Sequence, residues 1–223
     1  MKKIDPISTE IIRNAFISIA QDMNAVLIRS AYTPVIYEGK DCVVALLDEK
    51  GEVLGQSSGL PLFLGNLQVC VQETAKIYGW DYFKEGDIFF VNDSFFTGTH
   101  LNDITIFAPI FWNKQLAGFS ASRAHWLDVG AKDPGGSMDS SNIYQEGFRW
   151  PVTRLYENNE PKKEIIEFLR MNGRFGYSLI GDMNAQIAAG KTGEKRFQGI
   201  LDRFGLDLVR SARNEIFKQS EEL

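Results

Sequence analysis

The chain has 223 residues, 44% hydrophobic and 24% charged, which is enough apolar material for one sizeable domain or two small ones. A formal net charge of −5, with no clustered basic run, argues against nucleic-acid binding, which needs a concentrated positive face. No stretch approaches the roughly 18 consecutive apolar residues of a membrane span, and no apolar signal core follows Met1, so a cytoplasmic protein without membrane attachment is expected.

Ile12, Phe16, Ile19, Met23, Val26 and Leu27 recur at helical spacing and predict a long amphipathic helix from about Ser8 to Ser30. Asp5-Pro6 and Ser8 are its start signals. Cys42 to Leu47 is a continuous apolar run with β-branched Val43 and Val44. Asp48-Glu49-Lys50-Gly51 reads as a turn and Glu52 to Gly55 as a return strand, so a hairpin is expected. A second amphipathic helix is predicted over Leu64 to Tyr78, with Leu67, Val71, Ala75 and Tyr78 on one face. Ile88 to Val91 is a buried strand running into Asn92-Asp93. Ile104 to Trp112 and Gln115 to Ser122 form a central hairpin around Asn113-Lys114, with Pro109 marking a sheet edge or a bulge. Gly130 to Tyr144 is rich in Gly, Ser, Asp and Pro and reads as a loop. Helices are predicted over Pro161 to Arg170, Asn184 to Phe204 and Leu206 to Leu223.

The expected fold class is α+β, an antiparallel or mixed sheet with packed amphipathic helices. No strand–glycine-rich turn–helix unit points to a doubly wound fold. Residues 1–205 are expected to form the main domain and residues 206–223 a C-terminal helix. Gly190-Lys191-Thr192-Gly193 is not a phosphate loop, because the motif's first glycine is replaced by Ala185 within a helical segment, so no ATP site is expected in this chain. Cys42 and Cys70 lie in apolar runs and are expected to be buried free thiols.

The two histidines, His100 and His125, flank the central hairpin. Counting outward from a two-residue turn places Asp103 opposite Ala124 and His125 opposite Asn102, which brings His125 beside Asp103. A one-residue slip would reverse which way these side chains face. Two imidazoles and a carboxylate at one strand end suit a divalent ion. The alternative is a pair of half-buried histidines with hydrogen-bond partners at a sheet edge. Asp128, three residues after His125, would orient a ligand or cap a loop.

Five blocks in order carry a resemblance. Asp5 to Ala15 is similar to "DPITLEVIRNA", and Asn92 to Asp103 resembles "NDPYxGGTHLxD". Arg123 to Gly130 is similar to "RAHHxDVGG", Ile143 to Pro151 to "IYQEGLRIP", and Gly181 to Ala189 to "GDLRAQIAA". Together they resemble the hydantoinase B/5-oxoprolinase family, which includes B subunits of ATP-dependent hydantoinases, lactam-hydrolysing relatives and the large subunits of acetone-type carboxylases. The resemblance implies a metal-bearing subunit with Asp41, His100, Asp103 and His125 as ligands to zinc, manganese or iron. Asp41 enters through the resemblance alone. ATP is expected only in a hydantoinase A-type partner subunit, and the substrate would be a small cyclic amide such as a hydantoin, an oxoproline or a lactam.

Ser94, Phe95, Thr97 and Trp126 depart from the family pattern, where proline, tyrosine, glycine and a second histidine are usual. Family subunits are commonly longer, so the chain is expected to correspond to the N-terminal half of a B-type subunit: split, truncated or degenerate. A C-terminal half is then a further expected partner. Arg123 and Arg149 could steady phosphate or carboxylate, or serve in salt bridges. Glu146 could act as a base, and Asp128 would support the chemistry. The alternatives are a subunit of a ketone carboxylase and a structural subunit without catalysis. Sixteen phenylalanines and four tryptophans suggest surface covered by partners.

Overall fold

The computed structural model describes residues 5–222 apart from Leu64 and Ser137. Leu64 and Leu223, where the sequence reading starts one helix and ends another, lie outside the described residues, as do residues 1–4. The elements in chain order are α1 (Pro6–Ser30), α2 (Pro34–Tyr37), β1 (Cys42–Asp48), β2 (Val53–Gln56), α3 (Asn66–Tyr78), β3 (Ile88–Val91), α4 (Ser94–Thr97), β4 (Asp103–Trp112), β5 (Gln115–His125), β6 (Thr153–Glu157), β7 (Glu160–Pro161), α5 (Lys163–Asn172), α6 (Gly176–Phe204) and α7 (Leu206–Glu221).

Helix α1 starts where the Asp5 carboxylate accepts the Ser8 N–H at 2.9 Å, with Pro6 in the first turn. Its predicted stripe is buried at Ile12, Phe16, Ile19, Met23 and Leu27. Among the described residues, one seven-stranded sheet runs in the order β2-β1-β5-β4-β3-β6-β7, antiparallel at every pairing.

Alternating side chains feed two cores. Val44, Leu46, Ile104, Ile106 and Phe90 meet α1, α6 and α7 on one face. Val43, Leu47, Phe89, Phe107 and Phe119 meet α3, Phe63 and Phe83 on the other. Much of the aromatic load is therefore internal. Cys42 and Cys70 are buried free thiols.

Strand β4 lies between β5 and β3, but β3 pairs with it only at Phe107, Ile106 and Thr105, so Pro109 lies beyond that ladder on a locally unpaired edge, where a proline is tolerated. Three details depart from the sequence reading. Pro161 belongs to β7, and α5 starts at Lys163. The β6–β7 hairpin turns on Asn158 and Asn159, both in the left-handed region at φ 51° and 64°. Helix α6 begins at Gly176, eight residues before the expected start at Asn184. Its Gly181 has a packing reason, since a Cβ there would come within 2.3 Å of the Tyr32 ring.

The register of the central hairpin also differs. The tight turn at Asn113-Lys114 is present, with φ of 49° and 63°. Phe111 then pairs with Leu116 but Ile110 with Gly118, so Ala117 is an extra residue in β5. That bulge shifts the rest of the ladder by one. Asp103 faces His125, not Ala124, and the two side chains emerge on the same face.

Candidate metal centre

The row in which Asp103 faces His125 lies at one end of the sheet, on the α3 face. It extends to the neighbouring strand, because the His125 N–H donates to the Asp41 carbonyl at 3.0 Å, one residue before β1. Three side chains from adjacent strand ends are thus brought together: Asp41, His125 and Asp103. The fourth comes from the α4–β4 connection, where the His100 N–H donates to Asp103 Oδ2 at 2.9 Å.

Asp103 is fully buried and lies at the centre. Its Oδ1 is 2.7 Å from His125 Nδ1, and its Oδ2 is 3.4 Å from His100 Nδ1. Asp41 Oδ2 is 3.9 Å from His125 Nδ1. The two imidazole rings approach edge to face at 5.8 Å. Ligating atoms of His100, Asp103 and His125 all lie within 4.8 Å of one another. Bonds of about 2.1 Å in tetrahedral geometry place ligand atoms roughly 3.4 Å apart, so small side-chain rotations close the set around one ion.

Electrostatics points the same way. Burial pushes the Asp41 carboxyl above its ordinary value, against the attraction of the His125 imidazole. Burial alone would lower His125, but the hydrogen bond and charge of Asp103, with the charge of Asp41, outweigh it and hold this imidazole above its usual range. Asp41 Oδ1 is buried without a hydrogen-bond partner among the described residues. An unbonded buried oxygen is costly, and on a carboxylate whose Oδ2 lies 3.9 Å from His125 Nδ1 it fits a nearby cation.

The other residues singled out from the sequence have different surroundings. Asp128 accepts from Arg174 Nη1 at 2.8 Å and from the Gly130 N–H at 3.0 Å, tying the loop after β5 to the α5–α6 connection. Glu146 ends the 3-10 turn Ile143–Gln145 and is half-buried. Arg149 is half exposed, 3.5 Å from Asp93 and over the Phe95 ring. Arg123 is fully buried beneath the row, bonded to Thr105 and Thr99. Trp126 turns to the helix-covered face, where its indole N–H donates to Gln186 at 2.9 Å, so a histidine's absence there removes nothing from the His125 face. Asn92 carries no ligand role in this geometry. It donates to the Leu101 and Phe148 carbonyls and accepts from the Trp150 N–H, joining two loops.

A family model described as hydantoinase B/oxoprolinase matches residues 5–223. The chain belongs to the hydantoinase B/oxoprolinase family. It is 32% identical over 228 residues to the putative B subunit of a D-/L-hydantoinase from Pseudomonas sp. strain NS671, covering 100% of this chain and 38% of that protein. It is 30% identical to the beta chain of the caprolactamase of Pseudomonas jessenii, covering 97% of this chain and 37% of the relative. The crystal structure of ATP-dependent caprolactamase from Pseudomonas jessenii superposes with a TM-score of 0.86 at 29% identity, over 96% of this chain and 37% of that one. A nucleotide-free acetone carboxylase structure shares the fold, with a TM-score of 0.86 at 19% identity over 94% of this chain and 28% of that one. The chain spans well under half the length of these relatives.

A groove of about 950 Å³ lies at the opposite end of β4 and β5, lined by Trp112, Phe204, Leu206 and Arg210. It is remote from the cluster, which sits at the sheet's rim. Among the described residues no helix is long and apolar enough to cross a membrane.

Proposed function

We propose that this chain carries the metal centre of an ATP-dependent enzyme that opens a cyclic amide, such as a hydantoin, an oxoproline or a lactam. Asp41, His100, Asp103 and His125 are its ligands, and the ion is zinc, manganese or iron. The observation that carries the reading is the meeting of the chain's two histidines with buried Asp103, within 4.8 Å. Asp41 supports it as the neighbour with an unsatisfied buried oxygen.

When bound, the ion would supply Lewis acidity toward an amide carbonyl or a water molecule. Asp103 holds the His125 ring by a 2.7 Å contact and the His100 backbone by its other oxygen, which fixes two ligands from one carboxylate. Half-exposed Arg149 is suited to steady a carboxylate or phosphate group, and half-buried Glu146 to move a proton.

Amides resist attack, so phosphorylation of the amide oxygen by ATP makes the carbon a better electrophile. The Gly190-Lys191-Thr192-Gly193 segment lies within α6, so the nucleotide is assigned to an A-type partner subunit. The relatives' names, a hydantoinase of which this type of chain is one subunit and an ATP-dependent caprolactamase, support that division. Because the cluster lies at a rim, the remaining walls of the site are assigned to the rest of a B-type subunit or to the partner.

The test uses the enzyme with its A-type partner. Elemental analysis is paired with ATP turnover on hydantoin, 5-oxoproline and caprolactam, and on acetone with bicarbonate. About one divalent ion per chain is expected, with turnover that depends on a cyclic amide, and Asp103→Asn should lose both. Turnover that depends on a ketone and gives a carboxylated product would replace the hydrolase by a carboxylase. A metal-free protein with an unaffected Asp103→Asn variant would leave only a scaffold.

A further inference from the structure

We propose that Arg123 is a positioning residue for His100, holding the segment that carries this histidine through Thr99, without itself touching ion or substrate. The inference rests on the reading of His100 as a ligand.

Arg123 has no exposed surface. Its Nε donates to Thr105 Oγ1 at 2.8 Å, Nη1 to Thr99 Oγ1 at 3.0 Å, and Nη2 to Cys70 Sγ at 3.6 Å. Among the described residues no carboxylate lies within ion-pair distance of it. Burying a guanidinium without an anion is expensive, and its neighbours on this face, Val43, Val91, Phe107 and Ala121, are apolar. A residue needed only to fill space there would be apolar as well. The charge is retained at a cost, and its three bonds indicate why. They run from β5 across Thr105 of β4 to the connection between α4 and β4.

That connection is unevenly held. Its downstream half is pinned by Asn92, which donates to the Leu101 carbonyl at 2.7 Å. It is also pinned at Asn102, which exchanges two hydrogen bonds with the Trp126 backbone. Its upstream half leaves α4 through Gly98, in the left-handed region at φ 73°. Between Gly98 and Leu101 the backbone is tied, among the described residues, by Arg123 to Thr99 and by the turn closed by the His100 N–H on Asp103 and by the Asp103 N–H on the His100 carbonyl, while the His100 ring meets only Asp103 Oδ2 at 3.4 Å and the edge of the His125 ring. The His100 side chain is 67% exposed, so packing does not orient it. The rigid fork of Arg123 supplies what packing does not. A guanidinium can reach Thr105, Thr99 and Cys70 together, which the single ammonium of lysine cannot.

Thr99→Val tests this, since it removes the acceptor and keeps the shape. It is compared with Thr99→Ser, His100→Ala and Thr99→Val/His100→Ala in the enzyme with its partner. Three readouts are zinc affinity by chelator competition, the absorption spectrum of the cobalt-loaded protein, and amide exchange over residues 97–102 in metal-free protein. Thr99→Val should weaken zinc binding about 10-fold, as loss of an outer-shell partner does, and shift the cobalt spectrum toward that of His100→Ala. In the His100→Ala background its further effect should be under about 2-fold, because the route through His100 is gone. Thr99→Ser should restore the wild-type values. In metal-free Thr99→Val protein, exchange should quicken over residues 97–102 and not within β5. Wild-type affinity and spectrum in Thr99→Val, or an equal loss with and without His100, would overturn the inference. If wild-type protein binds no zinc or cobalt, the ligand reading falls and the positioning role falls with it. Unchanged exchange with intact metal binding would sink the Arg123 tie alone.

Discussion

Gln186 of α6 is fully buried against the sheet, and replacing it by leucine gives a direct measure of what holds the end of β5 in place. Its Oε1 accepts from the Trp126 indole N–H at 2.9 Å, and its Nε2 donates to the Ile104 carbonyl at 3.1 Å and to Ser122 Oγ at 3.2 Å. Gln186→Leu keeps the approximate volume and removes every one of these bonds. The indole N–H is then stranded in an apolar surrounding, which costs about 1–3 kcal/mol. Ser122 Oγ retains a longer bond to the Ile106 carbonyl, so the lost amide donations add only about 1 kcal/mol more. The expected loss is about 2–4 kcal/mol in urea unfolding, with an unchanged m-value. In a Trp126→Phe background the stranded donor no longer exists, and the same substitution should cost about 1–3 kcal/mol less. A loss below about 1 kcal/mol, or an identical loss in both backgrounds, would refute the argument that this bond latches β5 to α6.

Two further predictions concern titratable groups. Burial pushes the Cys42 thiol up to about 12, and burial also raises Cys70, so neither is a thiolate near neutrality. A disulfide reagent at about pH 8 should label both only after unfolding. A full equivalent reacting within seconds in native protein would count against the burial of both. Burial also raises the Asp182 carboxyl above 3.8, although Tyr32 and Thr33 donate to it. The folded state therefore holds this proton more tightly than the unfolded chain. The stability so contributed is fully present below about pH 3.8 and lost as pH rises through the higher native value. The stability of wild type relative to Asp182→Asn should fall as pH rises from about 3.8 through the raised native value, and a difference that grows with pH would contradict it.

Long, strongly periodic segments were legible from the sequence. The Ile12–Leu27 stripe has a spacing that a helix buries, the strands around Asn113-Lys114 flank a tight turn, and the short Ile88–Val91 run is apolar throughout, and all three fold as read. The β6–β7 hairpin was missed because β7 has two residues, too few for any period, and Asn158-Asn159 is a weaker turn signal than Asn-Gly. The start of α6 was missed because Gly176 and Gly181 read as breakers until Tyr32 is seen lying against Gly181.

For the candidate centre, local sequence placed both histidines beside one hairpin end, and family likeness named Asp41. That His125 faces Asp103 depended on one bulge residue, Ala117, which no local pattern marks. Thr99, Thr105 and Cys70 around Arg123, and Arg174 on Asp128, come from elsewhere in the chain and carry no signal before folding. Periodicity is written in neighbouring residues, so the chain alone determined its helices, its main strands and its apolar faces. Register and the pairing of buried charges are settled by contacts between segments tens of residues apart, and only the tertiary structure could decide them.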